Sequence, residues 1–295
     1  MAVVDPLVSI LVTVYNRADF LRAALDSILQ SSMTDFEVIV VDDCSSDGSL
    51  EIARDLAMVD SRLRPFQNDS NLGDYGNRNK AASMARGKYL KYVDSDDLLY
   101  PHSLQVMVDA MDRDTNVSLA LSHSLPEDDE PYPWILTPAE SYRKHFLGRG
   151  CLGCGPTGAI IRRTAFERLG GFRKEWGVLA DLDLWLRMAA KWPVALLPPG
   201  LVWWRRHAGQ EFSGNDAQLV YLQRGFELAS ASLTSDACPM AIDEKMSAER
   251  MLRRIHSRRL LSLATRGKSP CLAWRLVRAS ELSMLELLGG LRGYS

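Results

Sequence analysis

Long apolar runs are missing from this chain of 295 residues, although hydrophobic residues make up 46% of it. A transmembrane helix needs about 18 or more consecutive apolar residues, so the sequence predicts none. The first residues, Met1 to Pro6, also lack the basic and then apolar segments of a secretory signal. We therefore expect a cytoplasmic protein with enough apolar residues to bury a large core.

Cysteines are also scarce. Five occur, at positions 44, 151, 154, 238 and 271, and an odd, scattered set does not form the disulfide framework of a secreted protein. The one Cys-x-x-Cys pair, Cys151 and Cys154, lacks the second Cys or His pair that a structural zinc site needs. We expect small buried cysteines or loop cysteines.

A glycine-rich phosphate loop is absent near the N-terminus, where the turn after the first predicted strand reads Val14-Tyr-Asn-Arg-Ala18. Nucleotidyltransferases usually cradle phosphates with the backbone of such a loop. Its absence argues against that class of enzyme.

Charge is distributed unevenly along the chain. Residues 245–295 carry eleven Lys or Arg against three Asp or Glu, a net charge of +8, which leaves −10 for the first 244 residues of a chain whose formal charge is −2. The basic segment contains no nucleic-acid motif, so we do not expect nucleic-acid binding. We predict two helices between Met240 and Leu288, broken around Gly267 to Pro270. Their basic amphipathic faces could lie on an anionic membrane, pack on the acidic body or form a dimer contact.

Short apolar runs alternate with amphipathic segments in the first half, which predicts a βαβ series with a mostly parallel sheet flanked by helices. The pattern lapses between Ser122 and Gly155, a stretch with four prolines and the acidic run Glu127 to Glu130. This is too long for an ordinary connection, and we expect a loop that covers substrate. The predicted strands are 8–14, 37–41, 63–66, 89–93 and 117–121, and the predicted helices are 18–29, 50–59, 76–85 and 101–111.

Three carboxylates follow the strand at 89–93, in the sequence Asp94-Ser95-Asp96-Asp97. Hard divalent cations prefer oxygen ligands and share them with substrate phosphates, and open α/β sheets bind ligands at the carboxyl ends of their strands. The cluster therefore favours a nucleotide-linked substrate with Mg²⁺ or Mn²⁺. Taken alone, it is equally well explained as a solvated acidic turn that caps the next helix.

A second acidic cluster, Asp42-Asp43, follows the strand at 37–41. Carboxylates at this edge can accept hydrogen bonds from a ribose hydroxyl or a base N–H, and we assign the pair to a nucleoside. Helix capping is the better explanation for the neighbouring Ser46 and Asp47.

These motifs, in order, resemble glycosyltransferase family 2, inverting enzymes with the GT-A (nucleotide-diphospho-sugar transferase) fold, from about Val8 to Ser213. The resemblance implies that the first strand and turn approach the nucleotide, that Asp43 contacts the base, and that Asp96 and Asp97 hold metal and ribose. It also places Arg78 near the base or diphosphate. The nucleotide-binding residues that it implies are Thr13, Tyr15, Asn16, Arg17, Asp42, Asp43, Asn71, Arg78, Asp94, Ser95 and Asp96.

The acceptor half resembles the family in Gly170-Gly171-Phe172 and in Ala180-Asp181-Leu-Asp183-Leu-Trp185. Asp181 falls on the family's catalytic base, although Ala180 stands where the family usually has Glu. His207 matches a residue that approaches the metal and diphosphate. Ala180 puts the acceptor type in doubt and leaves open a catalytically silent protein that binds nucleotide sugars or glycans.

The resemblance implies that a sugar moves from a nucleotide-diphosphate donor, a UDP-sugar, to a glycan or lipid-linked acceptor, with Mn²⁺ or Mg²⁺ as cofactor. Arg205 and Arg206 would add positive charge at the diphosphate. Trp185 has the helical spacing of a core residue, whereas Trp176 lies in a polar segment where acceptor contacts are expected. We predict a nucleotide-binding half at 1–121, an acceptor-binding half at 122–238, and a helical extension at 239–295.

Overall fold

The computed structural model of the chain describes residues 5–122, 131–207, 210, 215–265 and 269–291. The chain divides into two compact units. The first comprises residues 1–138 and 151–207, and the second comprises residues 139–150 and 208–295. The predicted acidic run Glu127 to Glu130 lies outside the described residues. The limits of the nucleotide-binding and acceptor-binding halves stay a prediction.

The elements of the first unit are β1 (Val8–Val14), α1 (Ala18–Leu29), β2 (Phe36–Asp42), α2 (Ser49–Val59), β3 (Leu63–Gln67), α3 (Asp74–Ser83), β4 (Tyr89–Tyr92), β5 (Leu98–Leu99), α4 (Ser103–Arg113), β6 (Leu119–Ser122), β7 (Trp134–Leu136), then, after residues of the second unit, β8 (Ala159–Arg162), α6 (Arg163–Arg168), α7 (Ala180–Ala189), β9 (Val194–Leu197) and β10 (Val202–Trp203). Those of the second unit are α5 (Pro138–Phe146), whose first residue still belongs to the first unit, α8 (Asn215–Thr234), α9 (Ile242–Thr265), α10 (Pro270–Ala279) and α11 (Met284–Leu291).

The central sheet of the first unit has eight described strands in the order β3-β2-β1-β4-β8-β6-β9-β7. Strands β1 to β4 pair in parallel, as the alternating pattern predicts. Strand β8 runs antiparallel between β4 and β6, a pairing that the βαβ pattern did not indicate. Every residue of β1 and β2 is buried, because helices cover both faces of the sheet. The predicted mostly parallel α/β fold is therefore confirmed.

A separate two-stranded sheet brings together two segments that are far apart in the sequence. Strand β5 pairs antiparallel with β10, so that Leu98 lies opposite Trp203 and Leu99 opposite Val202. The residues before β5 and those after β10 therefore meet, although the sequence separates them widely. This pairing brings Arg205 and His207 to residues Asp94 to Asp97, called the acidic motif below.

Two predicted segments differ in the structure. The stretch from Ser122 to Gly155, read as a loop, contains β7 and α5 among its described residues. The basic tail, read as two helices, contains three among its described residues, because the second helix ends at Ala279 and α11 begins at Met284. Polar residues Ser280, Glu281 and Ser283 interrupt it, and Glu281 has a φ of 51°, which ends a right-handed helix.

The second unit has its own apolar core, in which Leu260, Leu276, Val277 and Leu287 pack together. His256 is buried there, stacks on Phe226 at 4.1 Å between ring centroids and contacts the Ser280 hydroxyl. Among the described residues, no helix has both the length and the apolar content to span a membrane.

Candidate active site

The carboxyl ends of β1, β2 and β4 lie side by side. Val14 at the end of β1 is in register with Asp42 at the end of β2, and β4 pairs with the other side of β1. Parallel strands end at a common edge, so the β1–α1 turn, the Asp42-Asp43 pair and the Asp94 motif all reach one region. This is the edge that the sequence analysis assigned to the nucleotide.

The β1–α1 turn is tied to the loop after β2 by side-chain hydrogen bonds. Asn16 has a φ of 52°, and its Oδ1 accepts from the Ser46 backbone N–H at 2.8 Å. Asp47 Oδ2 accepts from the backbone N–H of Ala18 at 3.0 Å, and its Oδ1 accepts from that of Ser49. Asp47 therefore caps the first turns of both α1 and α2. The sequence predicted only the capping of α2. Thr13, near the end of β1, is buried, and Tyr15 in the turn is 51% exposed.

Asp43 organises the loop that precedes α3. Its carboxylate accepts from Asn68 Nδ2 at 2.7 Å and from the backbone N–H groups of Leu72 and Gly73 at 2.9 and 3.0 Å. Asn71 Nδ2 donates to the Asp43 carbonyl at 3.1 Å. Asp42 Oδ1 accepts from the Ser45 N–H, while its buried Oδ2 has no hydrogen-bond partner among the described residues. The structure thus brings Asp42, Asp43 and Asn71 together at this edge.

Cys44 lies between these loops with a φ of 65°, in the left-handed region that favours glycine. A side chain in this region costs about 1–2 kcal/mol. We expect the Cys44→Gly variant to be more stable than the Cys44→Ala variant by about 1 kcal/mol, because glycine adopts this φ without strain. Both variants lose the contact of the thiol with the Asn68 carbonyl, so that loss cancels in the comparison. Urea unfolding of the two variants at one pH measures the difference. Equal stability would contradict the assignment of strain to this residue.

Arg78 on α3 is buried and pairs with two carboxylates. Its Nε lies 2.9 Å from Asp74 Oδ1 and its Nη1 lies 2.9 Å from Asp94 Oδ1. The rings of Tyr75 and Tyr92 flank the guanidinium at 5.5 and 5.8 Å. The two acidic partners raise the pKa of Arg78 against the effect of burial, so the side chain remains charged. Arg78 therefore fixes Asp94, the first carboxylate of the acidic motif.

Asp96 is surrounded by positive and hydrogen-bonding groups. His207 Nε2 lies 2.9 Å from Asp96 Oδ2, and Arg17 Nε lies 3.5 Å from the same oxygen. Arg205 Nε donates to the Asp96 carbonyl at 2.7 Å, and its guanidinium lies over the rings of Phe20 and Trp203. The predicted residues Arg17, Asp96, Arg205 and His207 are thus brought together, whereas Arg206 is exposed beside them. Ser95 is buried.

Asp97 is fully buried, and its environment fits a cation. Its Oδ1 accepts from the Arg205 backbone N–H at 3.1 Å, but its buried Oδ2 has no hydrogen-bond partner among the described residues. Burial and the neighbouring Asp94 raise the pKa of Asp97 to about 7, while hydrogen bonds from Thr157 and Arg205 lower it. A buried carboxylate oxygen without a partner is costly unless a cation or proton satisfies it.

Within the described residues, no three His, Cys, Asp or Glu side chains are grouped so as to hold a metal by themselves. Mg²⁺ commonly binds through one or two carboxylates and completes its coordination with substrate phosphates and water. The carboxylates of Asp96 and Asp97 fit that kind of site, which requires the donor for completion.

Asp181 lies in the first turn of α7, half-buried, and its Oδ1 accepts from the Leu182 backbone N–H at 2.6 Å. Burial raises the pKa of Asp181 to about 7, the nearby positive charge of Arg78 lowers it, and the carboxylates of Asp94 and Asp74 raise it further. Arg78 and Asp94 thus act electrostatically on Asp181. A carboxylate with a pKa near neutrality is suited to accept a proton in a reaction.

The surroundings of α7 follow from its sequence. Trp185 is fully buried, as its helical spacing predicts, and its Nε1 donates to the Cys154 carbonyl at 2.8 Å. Asp183 pairs with Arg187, which donates to the carbonyls of Leu169 and Gly171. Ala180, at the position where the family has Glu, is fully buried. Trp176 lies half-buried in a short 3-10 helix at Lys174–Leu179, just before α7.

Lys91 and Thr157 also lie at this site, and the sequence did not predict either of them as a site residue. Lys91 is fully buried in β4 behind the acidic motif, and Thr157 contacts that motif from a distant part of the chain. Lys91 could have been noticed as a charged residue within an apolar strand. No local signal marks Thr157, because its position depends on the antiparallel insertion of β8.

Comparison with known proteins places these motifs in a family. The model of glycosyl transferase family 2 matches residues 9–170. The putative teichuronic acid biosynthesis glycosyltransferase TuaG of Bacillus subtilis is 31% identical over 188 residues, covering 63% of this chain and 73% of TuaG. An uncharacterized protein of Mycobacterium tuberculosis is 30% identical over 224 residues, and the match covers 70% of this chain and 69% of the mycobacterial protein.

Solved structures with the same fold include two nucleotide complexes. S. aureus TarS 1–349 in complex with UDP superimposes with a TM-score of 0.63 at 18% identity, covering 95% of this chain and 76% of that one. The mannosyltransferase PcManGT from Pyrobaculum calidifontis, in complex with GDP-Man and Mn²⁺, gives a TM-score of 0.65 at 20% identity, covering 98% of this chain and 84% of that one. With the family match extending over more than half of its length, the chain belongs to glycosyltransferase family 2 and is a glycosyltransferase with a GT-A fold.

Proposed function

We propose that this enzyme transfers a sugar, with inversion, from a UDP-sugar to a hydroxyl of a glycan or lipid-linked acceptor of the cell envelope, and that it requires Mn²⁺ or Mg²⁺. The observation that carries the proposal is the buried Arg78, whose Nη1 lies 2.9 Å from Asp94 Oδ1 and whose positive charge also lowers the pKa of Asp181. It joins the carboxylates at the end of β4 to the proton acceptor at the start of α7. The acceptor class is inferred from TuaG, and the donor class from TarS, whose complexes contain UDP and UDP-GlcNAc.

The predicted nucleotide-binding half would bind the nucleotide diphosphate at the edge of the sheet where β1, β2 and β4 end. Asp96 and Asp97 would hold the divalent cation, which when bound neutralises charge on the departing diphosphate. Arg17, Arg205 and His207 surround Asp96 and would add positive or hydrogen-bonding groups beside the phosphates. Asp42, Asp43 and Asn71 would contact the nucleoside, and Arg78 would keep Asp94 in place.

Asp181 would remove the proton from the acceptor hydroxyl as that oxygen attacks C1 of the sugar. Glycosyl transfer passes through an oxocarbenium-like transition state, in which negative charge develops on the leaving group and the nucleophile loses its proton. The base must face the side of the sugar opposite the diphosphate for the configuration to invert. Trp176, just before α7, would provide an aromatic surface for the acceptor.

A panel of nucleotide sugars tests the donor and the metal together. We expect a UDP-sugar with Mn²⁺ or Mg²⁺ to raise the melting temperature and to be slowly hydrolysed, because binding at about 100 times Kd stabilises a protein by about 2.7 kcal/mol. The same nucleotides with a chelator serve as the control. If only GDP-sugars stabilise the protein, the UDP assignment is wrong. If no nucleotide sugar does so with either metal, the proposed donor reaction is wrong.

We also infer that the tail contacts an anionic membrane surface. On α10, the exposed side chains include Trp274, Arg275 and Arg278, and the Arg278 guanidinium lies 5.6 Å from the Trp274 ring centroid. Met284 and Leu285 on α11 are 63% and 81% exposed. Tryptophan and arginine are suited to the lipid headgroup region, where each basic residue contributes about 1 kcal/mol on an anionic surface.

Vesicle sedimentation tests this contact. We expect the protein to sediment with vesicles that contain phosphatidylglycerol, and to remain in solution with pure phosphatidylcholine vesicles or at high salt. Replacing Trp274 by Ala together with Arg275 and Arg278 by Gln should reduce binding at least tenfold. Gln in place of the exposed Arg54 on α2 is the matched control. Failure to bind anionic vesicles that retain a known peripheral protein would exclude the membrane contact.

A further inference from the structure

Lys91 is a charged side chain in the interior of the first unit that the proposed reaction does not use. It lies in β4, between Leu90 and Tyr92, and has no exposed surface. Burial lowers the pKa of Lys91 to about 8, which reflects the cost of removing an ammonium group from water. An apolar side chain of similar length would fill the same volume without that cost, so packing alone does not explain it.

The ammonium group contacts two backbone carbonyls, one on its own strand and one on a distant segment. Lys91 Nζ donates to the Tyr92 carbonyl at 3.0 Å and to the Thr157 carbonyl. The charged groups that act on it include the carboxylates of Asp94 and Asp97. The hydrogen bonds of Lys91 therefore fix the backbone at Thr157, while its charge faces the acidic motif.

Thr157 connects Lys91 to both ends of that motif. Its hydroxyl accepts from the Asp94 backbone N–H at 3.0 Å, and the Thr157 side chain lowers the pKa of the buried Asp97 carboxyl. Thr157 is 4% exposed and lies in the 3-10 helix Pro156–Gly158. Movement of this residue would therefore shift Asp94 and Asp97 together.

The same segment also contacts the helix of the proposed base. The Cys154 carbonyl accepts from Trp185 Nε1 on α7. An added Cβ at Gly158 would lie 2.2 Å from Cys154 Sγ, so the segment is closely folded on itself. Residues 154–158 thus touch the donor carboxylates on one side and α7 on the other, and Lys91 holds their backbone from below.

We propose that Lys91 is a positioning residue for the donor site, which acts through Thr157 to hold Asp94 and Asp97 in the arrangement that binds the metal–diphosphate group. This inference rests on the proposed function. It assigns a role in donor binding to a buried lysine that itself contacts neither substrate nor metal.

The experiment measures binding rather than turnover. Calorimetry determines the affinity of folded protein for UDP with Mn²⁺ and, in parallel, for GDP with Mn²⁺. We expect Lys91→Met to weaken binding of the preferred nucleotide at least tenfold, because methionine keeps the volume and removes both hydrogen bonds. Lys88→Met is the matched control, since Lys88 is a half-exposed lysine that pairs with Asp112, and it should bind within twofold of the wild type.

Variants of Thr157 keep the inference testable if Lys91→Met does not fold. Thr157→Val, which lacks the hydroxyl, should weaken binding about tenfold, and Thr157→Ser should remain within threefold of the wild type. The double variant Lys91→Met/Thr157→Val should bind within twofold of the weaker single variant, because residues that act as one unit are not additive.

Three outcomes would overturn the inference. If Lys91→Met lowers the melting temperature but binds UDP and Mn²⁺ as the wild type does, the lysine is structural only. If the losses in the double variant multiply, Lys91 does not act through Thr157. If the wild type binds neither nucleotide with Mn²⁺, the proposed donor chemistry fails, and the role of Lys91 fails with it.

Discussion

Asp181→Asn is expected to lower the rate of sugar transfer by at least about 10³-fold while donor binding stays within twofold of the wild type. General-base catalysis alone contributes about 10²–10⁴-fold, and the Asn side chain has nearly the same shape but cannot accept the proton. Asp55→Asn is the control, because Asp55 is an exposed carboxylate on α2 and the substitution makes the same change of side chain. An unchanged rate in Asp181→Asn would remove Asp181 from the mechanism.

The pKa of Asp181 gives this prediction a pH dependence. Because burial raises the pKa of Asp181 to about 7, transfer by the free enzyme should increase with pH up to about 7 and then level off. A chemical step that shows no dependence on pH between 5 and 8 would contradict this assignment.

The raised pKa of Asp181 also makes the free energy of unfolding depend on pH. The Asp181 carboxyl ionises near pH 3.8 in the unfolded chain and near 7 in the folded protein, so its contribution to wild-type stability falls as the pH rises between these two values and stays constant above them. The Asn variant has no such loss. Its stability relative to the wild type should therefore be greater at pH 8 than at pH 5, which thermal unfolding at the two values measures.

Arg78→Met is expected to destabilise the protein by about 3 kcal/mol. Removing one partner of a buried ion pair typically costs about 3–5 kcal/mol, because the other charge is left unpaired. The side chains of Asp74 and Asp94 keep 35% and 25% of their surface exposed, so solvent screens part of the loss and the lower end of the range applies. Urea unfolding measures the change, and the exposed Lys80 on the same helix supplies the control Lys80→Met.

Arg78→Met should also change the chemistry of Asp181. The positive charge of Arg78 lowers the pKa of Asp181, so its removal should move the acidic limb of the pH–rate profile to higher pH. Asp74→Asn in the Arg78→Met background should recover part of the lost stability, since it neutralises one unpaired carboxylate. A stable Arg78→Met protein with an unmoved pH profile would show that the guanidinium does not couple the two halves of the site.

The ordered motifs allowed much of the fold to be predicted, and also the meeting of the two acidic clusters at one edge of the sheet. Apolar strands that end in Asp42-Asp43 and Asp94 to Asp97 place both clusters at one edge, because parallel strands share their carboxyl ends. Contacts between residues far apart in the sequence were harder to predict. The β5–β10 pairing, which carries Arg205 and His207 to Asp96, involves only two residues on each strand, too few for a periodic signal.

Other features depend on contacts that local sequence does not encode. Strand β8 enters the sheet antiparallel after the segment in which the pattern lapses, and it delivers Thr157 to the acidic motif. Whether Asp43 is satisfied by the Leu72 and Gly73 backbone or is available to a base depends on how the loop folds. Helix α10 ends at Ala279, before the predicted end of the second tail helix, because a short polar stretch interrupts the leucine periodicity.

The proposed reaction requires the Asp181 carboxylate to face the same anomeric carbon as the carboxylates proposed to bind the metal. A crystal structure with Mn²⁺ and the nucleotide diphosphate that stabilises the protein most would test this directly. We expect the β-phosphate beside Asp96 and Asp97, with the Asp181 carboxylate across a gap the size of one sugar ring. A nucleotide bound at another edge of the sheet, or an Asp181 carboxylate directed away from that gap, would contradict the proposed reaction.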